Sequence, residues 1–490
     1  MAPSFRQETY LIIQPGSTTT LVELITPVNA NSNTAGYNNE EPPYPLPTYS
    51  IPTEVYYNDI HYSTTKVDPT YKKITPIING EIVDLDSFKF FLKSVFKSVV
   101  LHYNSNFDNT PSLTNFPLLL VTNHKWSFLQ LETLVQFFME QIGLNNLMFL
   151  PSGAACSSGF GSVANGIVID IGKHKTDLIP ILDYLPIKYL TTSIDIGGAD
   201  INKNLLKLFA DRHPTWSEER VENLKKSNIF EVLLTFNSDD DDGQNHNTNN
   251  VMDTNINTFV ENEQGSLGKN DEDNIDVAAI VTSDKDTRQI LEERERNKNT
   301  KKNSELGENT FFDASTNELV IVGEERFKGC GNLIRSISKQ VGMVLQQVPD
   351  INKRKVMWDN VMIVGNTSSI TGFKEAVLRQ LIKDYLVQEP ASEKAQREKE
   401  FYANAANKKK GRYIGHVLSL EYQNQVPTSI KLVKPPEYFP DWKKTGYGEI
   451  IFLGAEIVAK QVFGHYNDQF FITRDKYNKY GPPAIWNVIM

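Results

Sequence analysis

The sequence has few cysteines and no long uncharged apolar run, and each absence excludes a class of protein. Cys156 and Cys330 are the only cysteines among 490 residues, too few for a disulfide framework or a cysteine-based zinc site. No stretch reaches the roughly 18 apolar residues of a membrane-spanning helix. Near the N-terminus, Arg6 and Glu8 lie too close to a short apolar run for a signal peptide. We therefore expect a soluble intracellular protein with no membrane partner.

An excess of positive charge is also absent. The chain carries 50 basic and 60 acidic residues, which gives a formal net charge of −10. An acidic surface disfavours nucleic acid and favours basic proteins or basic helices. The composition therefore predicts no direct sequence-specific binding of nucleic acid. A chain of 490 residues is long enough for several domains with a large core.

Three strand–turn units are spread along the chain. LIIQPGSTTTLVEL (11–24) predicts a hairpin around a Pro-Gly-Ser turn. GIVIDIG and TDLIPIL (166–172 and 176–182) predict a second hairpin around three basic residues, and 363–386 predicts a strand, a glycine-containing turn and a helix. Because the units are so far apart in sequence, they indicate one nucleotide cleft assembled from separate loops.

Helical and strand patterns fill the space between these units. Apolar residues at helical spacing predict one helix over 77–100, with an acidic start at Asp84, and another over 127–143, closed by Gly143. The apolar run at 116–124 predicts a buried strand. Four polar or charged segments are expected to lie outside the core: 27–50 as a loop, 237–276 as a disordered segment, 291–302 as a helical extension and 392–412 as a charged insertion.

Long stretches resemble actin and the actin-related proteins, nearly from end to end of the chain. The matching stretches are MFLPSGAACSSGFGSVANGIVIDIG (148–172), SIDIGGADINKNLLKLF (193–209), ELVIVGEERFKG (318–329), INKRKVMWDNVMIVGNTSSITGF (351–373), GEIIFLGAEIVAKQVF (448–463) and FITRDKYNKYGPPAIW (471–486). The resemblance implies an actin-like α/β fold, of the superfamily shared with hexokinase and heat-shock chaperones. Two lobes and four subdomains would surround a central cleft.

The resemblance also implies boundaries for the four subdomains. The boundaries are 1–26, 76–160 and 436–490 for subdomain 1, 27–75 for a reduced, loop-rich subdomain 2, 161–196 and 311–435 for subdomain 3 with a charged insertion at 388–427, and 197–310 for subdomain 4 with the acidic, asparagine-rich insertion at 237–276.

Further stretches resemble the actin-related subunits of fungal chromatin-remodelling complexes. They are APSFRQETYLII, INGEIVDLDSF, RQILEERER and YFPDWKKTGYGEIIFLGAEIVAKQ. This resemblance implies a nuclear protein of the SWI/SNF or RSC class of complex. Its partners would be a second actin-related protein in a heterodimer, a helical segment of the motor ATPase and other subunits. The basic run KKKGR (408–412) is compatible with nuclear import, although such a run is a weak signal alone.

The first phosphate loop departs from the family pattern D-N-G-S-G-x-x-K. In that pattern the Asp helps to hold a hydrated metal, the glycines admit phosphate to backbone N–H groups, and the Lys neutralises charge. The aligned residues here are Gln14, Pro15, Gly16, Ser17 and Thr18, with Leu21 in place of the lysine. Pro15 also lacks an N–H donor.

The second loop departs from D-S-G-D-G-x-T-H in the same way. Asp170, Gly172 and Thr176 are retained, but Lys173 replaces a metal-side carboxylate and Asp177 replaces the histidine that orders the attacking water. The upstream glutamine of the family is replaced as well, by Gly153.

Two roles for Lys173 remain open: an internal ion pair with Asp170 at the metal position, or direct binding of phosphate without metal. His174, between two lysines in a turn, is interpreted as an exposed loop histidine rather than a catalytic base. In the adenosine loop, Gly365, Thr367 and Gly372 are retained, while Asn366 replaces a glycine and would crowd a nucleotide.

The altered loops predict a degenerate ATPase site. Hydrolysis needs a placed metal and an oriented water, and the usual residues for both are replaced. We expect no catalytic residues, no metal site and no tight binding of ATP or Mg²⁺. The remnant of the nucleotide cleft would consist of Gly16, Ser17, Asp170, Gly172, Lys173, Thr176, Gly365 and Thr367.

Three functional classes follow from these observations. The favoured one is a non-catalytic architectural subunit of a remodelling complex. The alternatives are an actin-like nucleotide-binding switch with weak or no hydrolysis, and a filament-forming protein, whose contacts the insertions would obstruct. For the first class, a partner helix would lie in an apolar groove near the C-terminus. The predicted groove residues are Val458, Val462, Phe463, Phe470, Phe471 and Trp486.

Overall fold

The computed structural model describes residues 9–26, 44–105, 116–233, 302–387, 427–465 and 467–488. The chain forms two compact units. Unit 1 comprises Met1–Gly198, Gln340–Ser369 and Val387–Met490, and unit 2 comprises Ala199–Lys339 and Ile370–Leu386. The boundaries of the four subdomains stay a prediction. The predictions for 237–276 and 392–412, and for most of 27–50, 291–302 and 388–427, fall on residues outside the described part.

Strands and helices alternate through both units, which confirms the predicted α/β class. Within the described residues the strands are β1 (Tyr10–Gln14), β2 (Thr19–Ile25), β3 (Tyr49–Pro52), β4 (Val55–Tyr57), β5 (Tyr62–Ser63), β6 (Lys72–Ile74), β7 (Ile77–Ile78), β8 (Glu81–Ile82), β9 (Leu118–Thr122), β10 (Asn146–Pro151), β11 (Gly166–Ile171), β12 (Thr176–Leu182), β13 (Leu185–Pro186), β14 (Thr192–Ile194), β15 (Asn309–Asp313), β16 (Glu318–Val322), β17 (Val361–Val364) and β18 (Ile472–Thr473).

The α-helices connect these strands and cover their sheets. In chain order they are α1 (Leu85–Ser105), α2 (Phe128–Gln136), α3 (Ser152–Gly159), α4 (Gly198–Phe209), α5 (Glu218–Lys226), α6 (Gly331–Gln346), α7 (Ile351–Trp358), α8 (Phe373–Tyr385), α9 (Pro440–Lys444), α10 (Ile450–Gly464) and α11 (Arg474–Tyr480). No helix in the described part of the chain is long and apolar enough to span a membrane.

Unit 1 contains two main sheets. The first has the strand order β18-β10-β9-β1-β2-β3, and the second has the order β13-β12-β11-β17, with β14 paired to β12. Both predicted hairpins are confirmed, since β1 pairs antiparallel with β2 and β11 pairs antiparallel with β12. The predicted strand at 116–124 is confirmed as β9, which pairs parallel with β1 and β10.

The helix predicted over 77–100 begins later than expected. Residues 77–82 instead form the short β7–β8 hairpin, because Asn79 and Gly80 adopt φ values of 48° and 79°, which suit a tight hairpin turn. The helix starts at Leu85, and the carboxylate of Asp84 accepts a hydrogen bond from the backbone N–H of Ser87 at 3.1 Å. The predicted acidic start at Asp84 is therefore confirmed.

The helix predicted over 127–143 is present with an irregularity. Ser127 and Gln130 form a capping box at its start. After α2 the chain continues as a π-helix over Phe137–Ile142 and ends at Gly143, where φ is 85°. The predicted glycine stop is confirmed. The π-helical segment lies outside what apolar spacing reveals.

Helices α3 and α10 cross at very short range in unit 1. A Cβ atom added to Gly454 would lie 1.7 Å from the carbonyl oxygen of Ala155, and one added to Gly159 would lie 2.6 Å from that of Ile450. Glycine is therefore required at this crossing. Close contact between the helices brings α10 against the buried core that includes Ile12 and Leu150.

Unit 2 contains the two-stranded β15–β16 sheet beside α5. Asp313, at the end of β15, is fully buried and accepts hydrogen bonds from Arg220 Nε at 2.6 Å and Asn223 Nδ2 at 2.8 Å. Phe311 packs edge-on against Trp216, with ring centroids 6.3 Å apart. These contacts fix one face of the hairpin to the core of unit 2.

Candidate functional site

The first phosphate loop is the β1–β2 turn. The residues that it shares with the family pattern, Gly16 and Ser17, make contacts within the fold. A Cβ on Gly16 would lie 2.5 Å from the carbonyl oxygen of Thr19, so the turn requires glycine. The hydroxyl of Ser17 accepts a hydrogen bond from the N–H of Gly80 at 2.9 Å. Trp126 Nε1 donates to the carbonyl of Gly80 at 3.0 Å. The β7–β8 turn is therefore held directly against the first loop.

The second loop is the β11–β12 turn. The N–H of Gly172 donates to the carbonyl of Lys175 at 2.9 Å, and the carbonyl of Gly172 accepts from the N–H of Gly198 at 2.9 Å. The hydroxyl of Thr176 donates to the carbonyl of Ile196 at 2.8 Å. Gly172 and Thr176, which the sequence identified as retained, thus have structural partners within unit 1. His174 is exposed in this turn, as predicted.

An ion pair links Lys175 and Asp177 beside this turn. The side chain of Asp177 is 1% exposed and that of Lys175 is 13% exposed, so the pair is largely shielded from water. Lys173, by contrast, is exposed and makes no ion pair within the described residues. Of the two roles left open for Lys173, the ion pair with Asp170 is therefore not formed in the structure. Lys173 lies at the outer end of the turn, whereas Lys175 immediately precedes β12, two residues before Asp177 and on the same face.

Asp177 lies at the centre of a polar network. Its carboxylate accepts hydrogen bonds from Ser193 Oγ at 2.5 Å and from Asn123 Nδ2 at 3.2 Å. His124 Nδ1 lies 3.9 Å from the same carboxylate, and His124 Nε2 is 3.2 Å from Ser193 Oγ. The residue that replaces the family's water-ordering histidine is thus fully engaged with neighbouring side chains.

The two carboxyl groups beside this turn, Asp170 and Asp177, have pKa values that are shifted in opposite directions. Burial alone would raise the pKa of Asp177, but Lys175, His124 and the donated hydrogen bonds bring it below its usual value. Burial raises the pKa of Asp170 to about 6, with a further contribution from the negative charge of Asp177. Burial also lowers the pKa of His124. Near neutral pH, Asp177 is therefore a carboxylate whose charge Lys175 balances.

The adenosine-type loop follows β17. Gly365 has φ of 88°, and a Cβ there would lie 2.4 Å from the carbonyl oxygen of Ile171. The hydroxyl of Thr367 is 3.4 Å from the carbonyl of Gly172, which joins this loop to the second one. Asn366 is exposed, and its Nδ2 is 3.4 Å from Glu449 Oε1. The structure therefore brings Gly172, Gly365 and Thr367 together.

Comparison with known proteins decides the family. A family model described as Actin matches residues 28–416, which is most of the chain. The chain belongs to the actin family. This membership confirms the predicted actin-like fold class.

Two relatives give a finer view of this actin-family chain. It is 28% identical over 467 residues to the Schizosaccharomyces pombe protein "SWI/SNF and RSC complexes subunit arp9", with 86% of this chain and 81% of that protein covered. It is also 31% identical over 81 residues to actin-related protein 2 of Caenorhabditis briggsae, which covers 16% of this chain and 20% of that protein.

The residues of this actin-family cleft do not fit Mg²⁺-ATP. Leu21, where the family pattern has lysine, is only 6% exposed and belongs to the core. The described residues contain no group of three His, Cys, Asp or Glu side chains arranged to hold a metal. At Gly153, a Cβ would lie 2.7 Å from Ile179 Cγ2, so the family's glutamine has no room there. Leu21 and Gly153 therefore do not supply the lysine and glutamine of the family pattern.

The predicted partner groove needs correction. Phe463 and Phe471 are fully buried and Val462 is 7% exposed, so these three side chains are core rather than contact residues. Phe463 packs between Tyr10 and Phe471, with centroid distances of 5.8 and 5.5 Å. In sequence, apolar residues in and after a helix look alike whether they point inward or outward.

The remaining groove candidates are accessible. Val458 and Phe470 are half-buried, and Trp486 is 38% exposed. Trp486 packs edge-on against Phe128 at 4.8 Å, and its Nε1 donates to Glu132 at 2.6 Å. These three side chains remain available to a partner.

Sequence reasoning missed the network around Asp177. It identified Asp177 only as the replacement for a histidine, and it assigned no role to Lys175, Asn123 or Ser193. One signal was present: Lys175 and Asp177 are two residues apart at the start of a strand, so they share a face and have opposite charge. Asn123 and Ser193 come from distant parts of the chain, and only the fold reveals their proximity.

Proposed function

We propose that this chain is a non-catalytic, architectural actin-related subunit of a nuclear chromatin-remodelling complex of the SWI/SNF or RSC type. The printed name of the Schizosaccharomyces pombe relative supports the class of complex. The Lys175–Asp177 ion pair carries the non-catalytic part of the proposal. Charges that a nucleotide site would direct at phosphate, metal or water are here directed at each other.

Hydrogen bonds within the chain join the cleft loops of unit 1. Ser17 bonds to Gly80, Asn123 bonds to Asp177, and Thr367 lies within 3.4 Å of Gly172. In a nucleotide-dependent protein, phosphate and metal would make such connections. Under this proposal, the fold serves to present surfaces to partner proteins. Contacts between side chains take over the structural role that a ligand has in the cleft.

The proposed partners are a second actin-related protein and a helical segment of the motor ATPase. Half-buried apolar side chains on the exposed side of α10, Ile457 and Val458, suit the apolar face of such a helix. Phe160 and Val163, which follow α3, are half-buried beside the same core. The net charge of −10 favours an encounter with a lysine- and arginine-rich segment.

Co-expression tests this proposal. The chain, the second actin-related protein and the motor helix are expressed together and separated by gel filtration at rising ionic strength. We expect one complex that weakens but persists in moderate salt, because apolar burial contributes most of the affinity. Elution of this chain alone at low salt, while the other two remain together, would contradict the proposal.

A matched pair of variants locates the contact. Val458→Asp places a charge on the half-buried face of α10, and this chain should then dissociate from the complex. Val67→Asp, at a side chain that is 66% exposed, controls for added charge and should leave the complex intact.

One observation favours a second candidate, an actin-like nucleotide-binding switch with weak or no hydrolysis. Gly365 and Thr367 are retained in the adenosine-type loop, and the ammonium of Lys173 is exposed without an ion pair in the described residues. Lys173 would then bind phosphate directly, without a metal. An ATP titration separates the two candidates.

A further inference from the structure

The β15–β16 hairpin of unit 2 carries an exposed apolar face that its own core does not use. Phe312 and Leu319 are cross-strand partners, and Ile321 is the partner of Thr310 on the same face. Phe312 is 57% exposed, Leu319 is 73% exposed and Ile321 is 58% exposed. We call the surface formed by these three side chains the hairpin face.

The opposite face of the hairpin is firmly anchored. Phe311 is 3% exposed, Val322 is 1% exposed and Asp313 is fully buried in its network with Arg220 and Asn223. The alternation of a strand places Phe312 away from Phe311 and Asp313. The hairpin is therefore a rigid support that presents three large apolar side chains outward.

Negative charge lies beside one end of the hairpin face. Residues 303–325 contain six Asp and Glu residues and no Lys or Arg. Asp313 and Glu318 pair with Arg220, and Glu325 pairs with Arg212. Glu318 is the cross-strand partner of Asp313 and therefore lies on the anchored face. Glu308 and Glu324 are exposed, make no ion pair within the described residues, and lie at the end where β15 begins and β16 ends.

We propose that the hairpin face docks a basic amphipathic helix of a partner protein, with apolar side chains on the three residues and Lys or Arg side chains beyond the end that carries Glu308 and Glu324. Exposed apolar patches rimmed by charge are typical of protein-binding surfaces. The carboxylates exclude nucleic acid and anionic membranes as occupants, because both would be repelled. This surface lies in unit 2, and the proposal does not depend on the function proposed above.

The geometry sets the position of the basic residues. Glu308 lies four residues before Phe312, or about 13 Å along the extended chain. A helix rises about 1.5 Å per residue, so its basic end should be about nine residues from the leucine-type residue that meets Phe312. Leucine-type residues at i, i+3, i+4 and i+7 would meet the hairpin face.

The test uses the full-length chain and a synthetic peptide. The probe has a lysine pair at one end of a leucine-faced helix of that length, and a second peptide has glutamates in place of the lysines. We expect the lysine peptide to bind, and the glutamate peptide not to bind, in fluorescence-anisotropy titrations. Leu319→Ser and Glu308→Lys should each weaken the lysine peptide by about tenfold or more. Val67→Ser, an exposed apolar position of unit 1, should leave its affinity unchanged.

Three results would overturn the proposal. The first is lysine-peptide binding that is absent, or that neither hairpin variant weakens. The second is concentration-dependent self-association that Leu319→Ser abolishes, which would make a second copy the occupant. The third is a large drop in the Tm of Leu319→Ser, which would mean that the chain itself covers the face.

Discussion

At the scale of single residues, Asp177 is the buried carboxylate on which the proposed non-catalytic role depends. It occupies the position of the family's water-ordering histidine, is 1% exposed and pairs with Lys175. Two further side chains, Asn123 and Ser193, donate hydrogen bonds to it. A carboxylate in this position would repel phosphate if it were free. Paired and bonded, it stabilises the loops of the cleft instead.

Neutralising Asp177 should destabilise the fold. Asp177→Asn leaves the largely buried ammonium of Lys175 without its counter-charge, which we expect to cost about 3 kcal/mol. Urea unfolding followed by circular dichroism measures the change. Lys173→Met, at an exposed lysine of the same turn, is the control and should change stability by no more than about 0.5 kcal/mol.

The double variant checks the cause. Lys175→Met combined with Asp177→Asn removes both charges, so part of the lost stability should return. If the double variant instead loses the sum of the two single effects, the ion pair is not what stabilises the loops.

Glu456 is a second buried carboxyl with a measurable consequence. It is 1% exposed, and neither of its oxygens has a hydrogen-bond partner within the described residues. Burial, and then the nearby carboxyl of Glu23, raise the pKa of Glu456 well above its ordinary value, and Lys460 opposes this. The phenols of Tyr10 and Tyr44 also face it. Folded Glu456 is therefore neutral at pH values where unfolded Glu456 is charged.

This difference predicts how stability depends on pH. A carboxyl with a higher pKa in the folded state makes its contribution at low pH and loses it as the pH rises from about 4.5 through the folded pKa. Glu456→Gln cannot ionise, so its Tm should exceed that of the native chain at pH 8 and match it near pH 5. Differential scanning calorimetry at both pH values measures this, with the exposed Glu219→Gln as the control. An equal change at both pH values would contradict the explanation.

At the scale of elements, the α3–α10 crossing depends on two glycines. Gly454→Ala would place a Cβ 1.7 Å from the carbonyl oxygen of Ala155, so the helices must separate. We expect a loss of about 3 kcal/mol or more, at the upper end of the cost of overpacking. Gly464→Ala, in open space at the end of the same helix, is the matched control and should be neutral or slightly stabilising. Thermal unfolding of both variants provides the comparison. Similar Tm values for the two would refute the packing argument.

The elements defined by local pattern were predictable, and those defined by tertiary contacts were not. The hairpins around Gly16 and Gly172 have apolar strands and turn residues adjacent in sequence, and both are confirmed. The β7–β8 hairpin was missed because two-residue strands give no periodic signal, although Asn79-Gly80 is a strong turn pair. Periodicity favoured a continuous helix in that region.

The candidate site was predictable to the same extent. The replaced groups Leu21, Lys173 and Asp177 are identified from the aligned motif, and their identification stays a prediction. The sequence left open whether Lys173 forms an ion pair, because choosing between Lys173 and Lys175 requires knowing where the turn ends and the strand begins. The burial of Phe463 in α10, and of Phe471 after it, could not be predicted from the sequence either. The reason is that α10 is apolar around most of its circumference.

At the scale of the whole molecule, this actin-family chain combines the loops of unit 1 with an exposed apolar hairpin in unit 2. Unit 1 keeps the two hairpins and the adenosine-type loop, and its loops are joined by bonds between side chains and backbone. Unit 2 adds a rigid hairpin with an outward apolar face. Both features suit a protein that acts through its surfaces, as the architectural proposal requires.

Equilibrium titration with labelled ATP, with and without Mg²⁺, tests the central claim most directly. The full-length chain is titrated beside actin as a positive control. Because Lys175 is paired with Asp177 and the metal-side groups are replaced, we expect no saturable binding at micromolar ATP and no effect of Mg²⁺. Lys173→Asp alone should not create binding, since metal, phosphate and water groups are altered together. Micromolar, Mg²⁺-dependent binding by the native chain would contradict the account.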